Sequence, residues 1–488
     1  MTSDTPQTQE PTLKEKTAKG LFWGGVSNLV QQIIGAAFNI IIARILSPND
    51  YGLIGMLAIF TAIANTLMDS GFTTALINRK VIRHEDYNAV FWFSVILGAV
   101  LYVALFFAAP LIAAFYELPV LTNLSRLVFL SFLINSMALA HNALLVKKLM
   151  VKERAKIDIT AVSLSGAVGL ILALSGFAYW GLALQAILMA AISVALRWYF
   201  APWRPSFGRI DFEPLKGMLG FGIKLLVTSI VVQVSMYIFS VIVGKVYGER
   251  PLGYYSQGQK WMLLGNVVVL GMIASVAQPI LVETRGDMPR QLNIFRKMMR
   301  FGAFISFPAF GGLAFVSREF ILITLGEKWS DSIPILQLFC IFGATSFLVH
   351  LYYLLLIIYE KTNVVMWYCI IYSLLLLATA IFSYTYGILA MVIAYMGLHL
   401  LSIGAWHERA ARIIGLHFIH LIKDVIPYFI ITFACILIAW IFTIPVENIY
   451  VIFFMKIGIT ALLYIVLMKF SASVIFKESM ELISKRYK

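Results

Sequence analysis

Four cations lie within the long apolar segments of residues 13–408, where a charged side chain needs a partner or water. They are Arg44, Arg126, Lys224 and Lys260. A charged side chain within hydrocarbon is costly and usually faces a water-filled cavity or a partner. Cations around such a cavity would attract an anionic substrate, whereas a cation near a helix end could instead extend to the membrane surface. We place Lys224 and Lys260 deeper than the other two. The cavity is therefore favoured for this pair, and both interpretations stay open for Arg44 and Arg126.

Small and polar residues recur along one face of the first apolar helix, at spacings of three and four. They are Gly25, Asn28, Gln32, Gly35 and Asn39. This spacing places them on one side of a helix, and such a side should not face lipid. The seventh apolar helix repeats the pattern in weaker form, with Ser229, Gln233, Tyr237, Ser240 and Gly244. The two stripes could line a cavity or could pack helices tightly. We favour the cavity because both stripes lead to a cation.

Other polar residues in apolar segments are expected to have smaller roles. Asp69 could bind a coupling proton or sodium ion, although a structural salt bridge is the favoured interpretation. Lys456, in the last helix, is expected to extend to the membrane surface. The sequence shows no nucleophile with a neighbouring base, no paired carboxylates and no phosphate-binding loop. We therefore expect neither catalysis nor a metal, and no cofactor.

The composition predicts an all-α polytopic membrane protein. Of its 488 residues, 61% are hydrophobic and only 13% are charged, which is far outside the range of soluble domains. Apolar runs of about 20 residues or more predict about fourteen transmembrane helices. We place them at 21–46, 52–77, 89–115, 121–145, 159–178, 181–200, 217–246, 252–282, 299–324, 334–358, 364–384, 386–406, 424–443 and 449–468.

The distribution of Lys and Arg predicts the orientation. Most of the 38 basic residues fall on alternate connections between the helices, as the positive-inside rule requires if both termini are cytoplasmic. The net charge of +14 then reflects topology and contact with anionic lipid headgroups. Nothing in the sequence suggests nucleic-acid binding.

Part of the chain occurs twice. Residues 28–52 align without a gap with residues 229–253, and this pairs Gln32 with Gln233 and Arg44 with Lys245. The alignment also pairs Gly52 with Gly253. The repeated helices are the first and seventh and run in the same direction, which indicates a parallel repeat. We predict a disordered cytoplasmic tail at 1–12, six-helix lobes at 13–205 and 206–408, and two further helices with a cytoplasmic tail at 409–488.

Two motifs resemble a known family. Residues 43–52 (ARILSPNDYG) and 69–77 (DSGFTTALI) closely resemble the opening of the polysaccharide transporter (Wzx-type flippase) family. This family belongs to the multidrug/oligosaccharidyl-lipid/polysaccharide exporter superfamily. Residues 252–260 (LGYYSQGQK) are similar to its eighth-helix pattern, in which a basic residue stands near Lys260. The resemblance implies a bilobed flippase of the bacterial inner membrane. It would move undecaprenyl-diphosphate-linked oligosaccharide from the cytoplasmic to the periplasmic leaflet by alternating access, for O-antigen, capsule or exopolysaccharide assembly.

The resemblance also assigns roles to residues and partners. Arg44 and Lys260 carry over by motif position as ligands of the diphosphate, whereas Arg126 and Lys224 rest on depth alone. Amide and hydroxyl side chains suit sugar hydroxyls, and the candidates are Asn28, Gln32, Asn39, Gln233 and Ser240. Candidate partners are the lipid-linked oligosaccharide, membrane lipids, a polysaccharide polymerase and chain-length proteins. We expect a monomer, and coupling to a proton or sodium gradient is open.

Three rival functions remain at this point. A cation-coupled multidrug exporter of the same superfamily would depend on Asp69 rather than on the cations. A glycosyltransferase, polymerase or ligase acting on the same lipid would be expected to have a large outer loop with acidic or basic catalytic residues, and the predicted outer loops are all short. A non-catalytic scaffold of a synthesis complex would tolerate every substitution in the cavity.

Overall fold

A computed structural model describes residues 13–69, 76, 82–208 and 211–470. The described chain is helical and contains no strand. Its α-helices are α1 (Leu13–Ile45), α2 (Pro48–Asp69), α3 (His84–Tyr116), α4 (Val120–Ser136), α5 (Leu139–Lys147), α6 (Val151–Leu174), α7 (Ala178–Phe200), α8 (Glu213–Tyr247), α9 (Glu249–Glu283), α10 (Met288–Thr324), α11 (Ser332–Ile358), α12 (Thr362–Ser383), α13 (Ile388–Ile414), α14 (Phe418–Thr443) and α15 (Ile449–Phe470). Short 3₁₀ turns lie at Glu327–Trp329 and Tyr384–Tyr386.

The number of membrane-spanning segments agrees with the prediction. Among the described residues, 13 helices are long and apolar enough to cross a membrane. The pair α4 and α5, bent by 47°, passes the same test together, so the count reaches 14 if this pair is one span. The predicted class, a polytopic all-α membrane protein of about fourteen helices, is confirmed.

Several helices begin earlier than the apolar runs predicted. α10 starts at Met288 rather than near residue 299, and its first turns carry Arg290 and Arg296. The Asp287 carboxylate accepts a hydrogen bond from the backbone N–H of Arg290 at 3.2 Å, which caps the helix. Hydropathy detects only the part of a helix that suits hydrocarbon, so polar first turns are missed even though they are helical.

The described residues form two compact units. Unit 1 contains those up to Ile45 and those from Thr61 to Val227, and unit 2 contains Leu46–Phe60 and the residues from Thr228 onward. The first half of α2 therefore belongs to unit 2, although it lies early in the sequence. The predicted lobes at 13–205 and 206–408, with a separate helix pair at 409–488, stay a prediction.

Unit 1 has an aromatic core at the end of its helices where α3 begins. His141 is fully buried and stacks on Trp198, with ring centroids 4.7 Å apart. Phe91 and Trp203 pack edge-on against the same imidazole at 6.0 and 5.2 Å. Elsewhere in the unit, α1 packs on α6, α6 on α7, and α3 on α4. The imidazole is therefore one ring of a packed aromatic cluster.

In unit 2, the last two helices are joined to α10 by buried ion pairs. Arg296 donates from Nε to Asp424 on α14 at 2.7 Å. Lys456 on α15 donates to both carboxylate oxygens of Glu319 at 3.0 Å. The expectation that Lys456 extends to the membrane surface is therefore wrong. A carboxylate on α10, 137 positions away in sequence, neutralises the ammonium inside the unit.

Removing the Glu319 carboxylate should destabilise unit 2. The side chains of Lys456 and Glu319 are only 12% and 3% exposed, so Glu319→Gln would leave a buried ammonium without its counter-charge. Such a loss costs about 3–5 kcal/mol of the free energy of unfolding. Chemical unfolding of the purified protein in detergent measures it. The control is Glu408→Gln, because Glu408 pairs with Arg412 at side-chain exposures of 59% and 65%. The control should change the free energy by less than about 1 kcal/mol, and equal effects of the two variants would contradict the assignment.

Candidate functional site

Helices α2 and α9 cross at glycines that are equivalent in the internal repeat. A Cβ atom on Gly52 would overlap the backbone carbonyl of Glu249, and a Cβ on Gly253 would overlap the backbone carbonyl of Pro48. Pro48 and Glu249 are also equivalent in the repeat alignment. The contact is therefore reciprocal, as at a two-fold symmetric interface. Only glycine allows the two backbones to approach this closely.

The start of α2 is fixed by its own side chains. Ser47 donates from its backbone N–H and from its hydroxyl to the Asp50 carboxylate, at 2.8 and 2.6 Å. Pro48, at the first helical position, has no backbone N–H to leave unpaired. This cap ends the turn after α1 and directs residues 48–60 along unit 2.

Beside the crossing lies a cavity of about 330 Å³ within unit 2. Three helices line it: the first half of α2, α8 and α9. Its polar lining side chains are Tyr51, Tyr237, Ser240, Ser256, Gln259 and Lys260. The remaining wall is apolar, with Ile54, Ala58, Leu263, Leu264 and Val267. A cation, hydroxyl groups and an amide thus share one concave surface, which is the composition of a site for a polar anionic ligand.

Lys260 is the charged group of this cavity. The residue is exposed and belongs to the cavity lining. Its Nζ lies 5.9 Å from the centroid of the Tyr51 ring, within the range of a cation–π contact. Tyr51 in turn packs edge-on against the fully buried Trp329, at 5.4 Å between centroids. The indole ring therefore supports the phenol that faces the ammonium.

Sequence reasoning missed several residues of α9. Gln257 and Trp261 are buried, and neither the Gln257 amide atoms nor the Trp261 Nε1 has a hydrogen-bond partner among the described residues. A buried polar group without a partner costs about 1–3 kcal/mol. The only signal in the sequence was the run of polar and small residues from Ser256 to Lys260, which is unusual within an apolar helix.

The structure brings together some of the predicted site residues. Lys260 and Ser240 lie in the cavity with Tyr237, whereas Gln233 is not among the described lining residues. Lys224 and Asp69 lie in α8 and α2, but their side chains fall outside the described residues. Their roles stay predictions.

The other candidates lie in unit 1. The Arg126 guanidinium stacks on the Phe106 ring at 4.2 Å, and its Nε donates to the Phe106 carbonyl at 3.4 Å. Arg44 and Asn28 are exposed, Gln32 is half-buried and Asn39 is buried. Their predicted contacts with substrate stay predictions. Among the described residues, no three His, Cys, Asp or Glu side chains are grouped as a metal site would require.

Comparison with known proteins places the chain among proteins of surface polysaccharide synthesis. A family model described as "Polysaccharide biosynthesis protein" matches residues 41–334, more than half of the chain. The lipopolysaccharide biosynthesis protein WzxC of Escherichia coli (strain K12) is 27% identical over 340 residues, which is 68% of either chain.

Solved structures show the same fold at low identity. The lipid II flippase MurJ in an inward closed conformation has a TM-score of 0.72 and 14% identity, over 91% of this chain and 97% of MurJ. A multidrug resistance MATE family transporter in an inward-facing conformation has a TM-score of 0.60 and 15% identity, over 80% and 98% of the two chains. The predicted family resemblance is confirmed by the sequence matches. The chain belongs to the polysaccharide biosynthesis protein family, and among its relatives is the Wzx-type protein WzxC.

Proposed function

We propose that the chain is a flippase that moves undecaprenyl-diphosphate-linked oligosaccharide from the cytoplasmic to the periplasmic leaflet of the bacterial inner membrane. The observation that carries the proposal is the cavity of unit 2, where Lys260 stands among phenol, hydroxyl and amide side chains. A diphosphate favours charged donors. The uncharged donors and acceptors suit sugar hydroxyls. The product would supply assembly of O-antigen, capsule or exopolysaccharide.

The position of Lys260 along α9 fits this role. It lies 11 residues after Glu249, the first residue of the helix, which corresponds to about 16 Å of helix. The hydrocarbon layer is about 30 Å thick, so the ammonium stands near its middle. Transporters with repeats bind their substrates at this depth. With both termini in the cytoplasm, as the basic connections favour, the Gly52 and Gly253 crossing is at the periplasmic end.

In an alternating-access cycle, the contact between α2 and α9 at Gly52 and Gly253 would act as the periplasmic gate. While α2 and α9 are packed together through Gly52 and Gly253, the cavity is closed toward the periplasm and the headgroup enters from the cytoplasmic side. Separation of the two helices opens the periplasmic side. The polyprenyl chain stays in the bilayer throughout, because moving it through water would expose a large apolar area.

Energy coupling and assembly are further parts of the proposal. A proton or sodium gradient could drive transport, with Asp69 as the candidate ion ligand. We propose a monomer that receives its substrate from the membrane and supplies a polysaccharide polymerase with its chain-length proteins. No cofactor has a role in this scheme.

Reconstitution in liposomes tests the function directly. Purified protein is inserted into vesicles that contain a fluorescent short-chain polyprenyl-diphosphate sugar, and a reagent outside reports how much of the lipid is accessible. We expect the inner pool to become accessible faster than in vesicles without protein. Proton and sodium gradients are imposed separately. If the lipid moves no faster than in empty vesicles under any gradient, the flippase function is wrong.

A further inference from the structure

A second cavity, of about 450 Å³, lies within unit 1. Three helix ends meet there: the start of α3, the end of α5 and the segment that follows α7. We call it the basic pocket and define it by Arg83, His84, Tyr87, Lys147, Lys148 and Trp203. The proposed substrate cavity of unit 2 shares none of these residues.

The basic pocket carries a concentration of positive charge. Arg83 and Lys148 are exposed and Lys147 is half-buried. None of the described residues that line the cavity is a carboxylate. Asp86, one turn along α3, is buried, and its carboxylate accepts a hydrogen bond from the backbone N–H of Arg83 at 2.9 Å. The lining residues therefore include three cationic side chains, and the Asp86 carboxylate lies one turn further along α3.

The wall of the basic pocket is held in place by hydrogen bonds. Trp203 donates from Nε1 to the His84 Nδ1 at 3.0 Å. The backbone of Ser206 bonds α3 twice, by donating to the Asn88 Oδ1 at 3.0 Å and by accepting from the Trp92 Nε1 at 3.0 Å. The segment after α7 is thus fastened to α3 over a distance of more than 100 residues in sequence. A wall that is already ordered lowers the entropic cost of binding.

The pocket stands at the level of lipid headgroups. It is built where three spanning helices end, which is where the apolar layer meets water. Phe207, next to the pocket segment, is 84% exposed and packs edge-on against Trp92 at 5.4 Å. Tryptophan rings such as those of Trp92 and Trp203 are typical of the membrane interface. A ligand with a lipid anchor could therefore place its polar head in this pocket.

We propose that the basic pocket binds the phosphate-bearing headgroup of a membrane lipid. Arginine and lysine offer charge-assisted donors to phosphate oxygens, and the Tyr87 and Trp203 rings form an aromatic wall beside them. Two lipids have this chemistry: a polyprenyl-diphosphate carrier and an anionic phospholipid. If the occupant is the carrier, the pocket is a loading site on the cytoplasmic side, a role that rests on the proposed function. If the occupant is a phospholipid, the pocket is independent of that function.

Binding of radiolabelled farnesyl diphosphate to the full-length protein in phosphatidylcholine nanodiscs tests the pocket. All proteins carry Lys260→Ala, so that the cavity of unit 2 contributes little. The test variant adds Arg83→Gln and Lys148→Gln. The matched control adds Lys152→Gln and Lys156→Gln, two exposed cations of α6 outside the described pocket lining. We expect the test variant to bind the probe about tenfold more weakly than its parent, and the control to bind it within about twofold.

A second set of nanodiscs distinguishes the two lipids. With phosphatidylglycerol present, a phospholipid occupant would compete and weaken probe binding by the parent but not by the test variant. Unchanged binding by the parent would assign the pocket to the diphosphate carrier. If parent, test variant and control bind the probe equally while all remain folded by thermal unfolding, the pocket is not a phosphate site. That result would leave the proposed flippase function intact, and absence of transport with normal pocket binding would overturn only the flippase function.

Discussion

Lys260→Ala is expected to slow translocation of the fluorescent polyprenyl-diphosphate sugar by about tenfold or more. The ammonium is the charged group that lines the cavity of unit 2. The side chains around it there, including Tyr237, Ser240 and Gln259, are uncharged. A hydrogen bond to a charged group contributes about 1.5–3 kcal/mol, and losing it would weaken the hold on the diphosphate. The initial rate of accessibility in proteoliposomes measures the effect.

Two further variants make this result specific. Lys260→Arg keeps the positive charge on a longer side chain and should retain more transport than the alanine variant. Lys152→Ala removes an exposed cation of α6 and should transport at the wild-type rate. A wild-type rate for Lys260→Ala would show that this lysine does not hold the diphosphate, even if the protein is a flippase.

Gly253→Ala is expected to abolish most transport by preventing close contact between α2 and α9. The added Cβ would overlap the carbonyl of Pro48, and a backbone atom cannot move aside as the end of a flexible side chain can. In the proposed cycle, this contact closes the cavity toward the periplasm. The variant should therefore stay open on that side. A cysteine placed at Gln259, in a protein without other cysteines, should react faster with an impermeant reagent on the periplasmic side.

The same helix supplies the matched control for Gly253. A Cβ on Gly271 of α9 would meet nothing within 4 Å. Gly271→Ala should thus leave both transport and cysteine reactivity at the wild-type level. Replacing a helical glycine by alanine favours the helix by about 1 kcal/mol, so loss of transport in Gly253→Ala cannot come from weaker helix formation. If Gly253→Ala transports at the wild-type rate and its cysteine reacts at the wild-type rate, the contact between α2 and α9 is not a gate.

Much of the fold could be predicted because a membrane restricts what a chain can do. Backbone groups in hydrocarbon must bond within their own segment, so each long apolar run becomes a helix. The predicted count of about fourteen spans follows from this rule. The polar first turns of α10 were not predicted because they precede the apolar run. The bend between α4 and α5 was not predicted because both helices lie in one apolar run.

The candidate site was predictable only in part. Lys260 stood out because a cation in an apolar helix is costly, and Ser240 because it continues a polar stripe. Tyr51 and Gln259 lie within the family motifs, but the sequence does not show that they face the same cavity. Their common position depends on how α2, α8 and α9 pack.

The sequence alone determined the class of the protein, its spans, its family and the paired glycines at positions 52 and 253, because these depend on composition, local periodicity and motif. Only the tertiary structure decided which surfaces those features meet. It placed residues 46–60 with unit 2, joined Lys456 to Glu319, and assembled the two cavities. Each of these assemblies brings together residues more than 50 positions apart in sequence. Such contacts depend on the complementary shape and charge of the packed helices. A local sequence pattern does not contain this information.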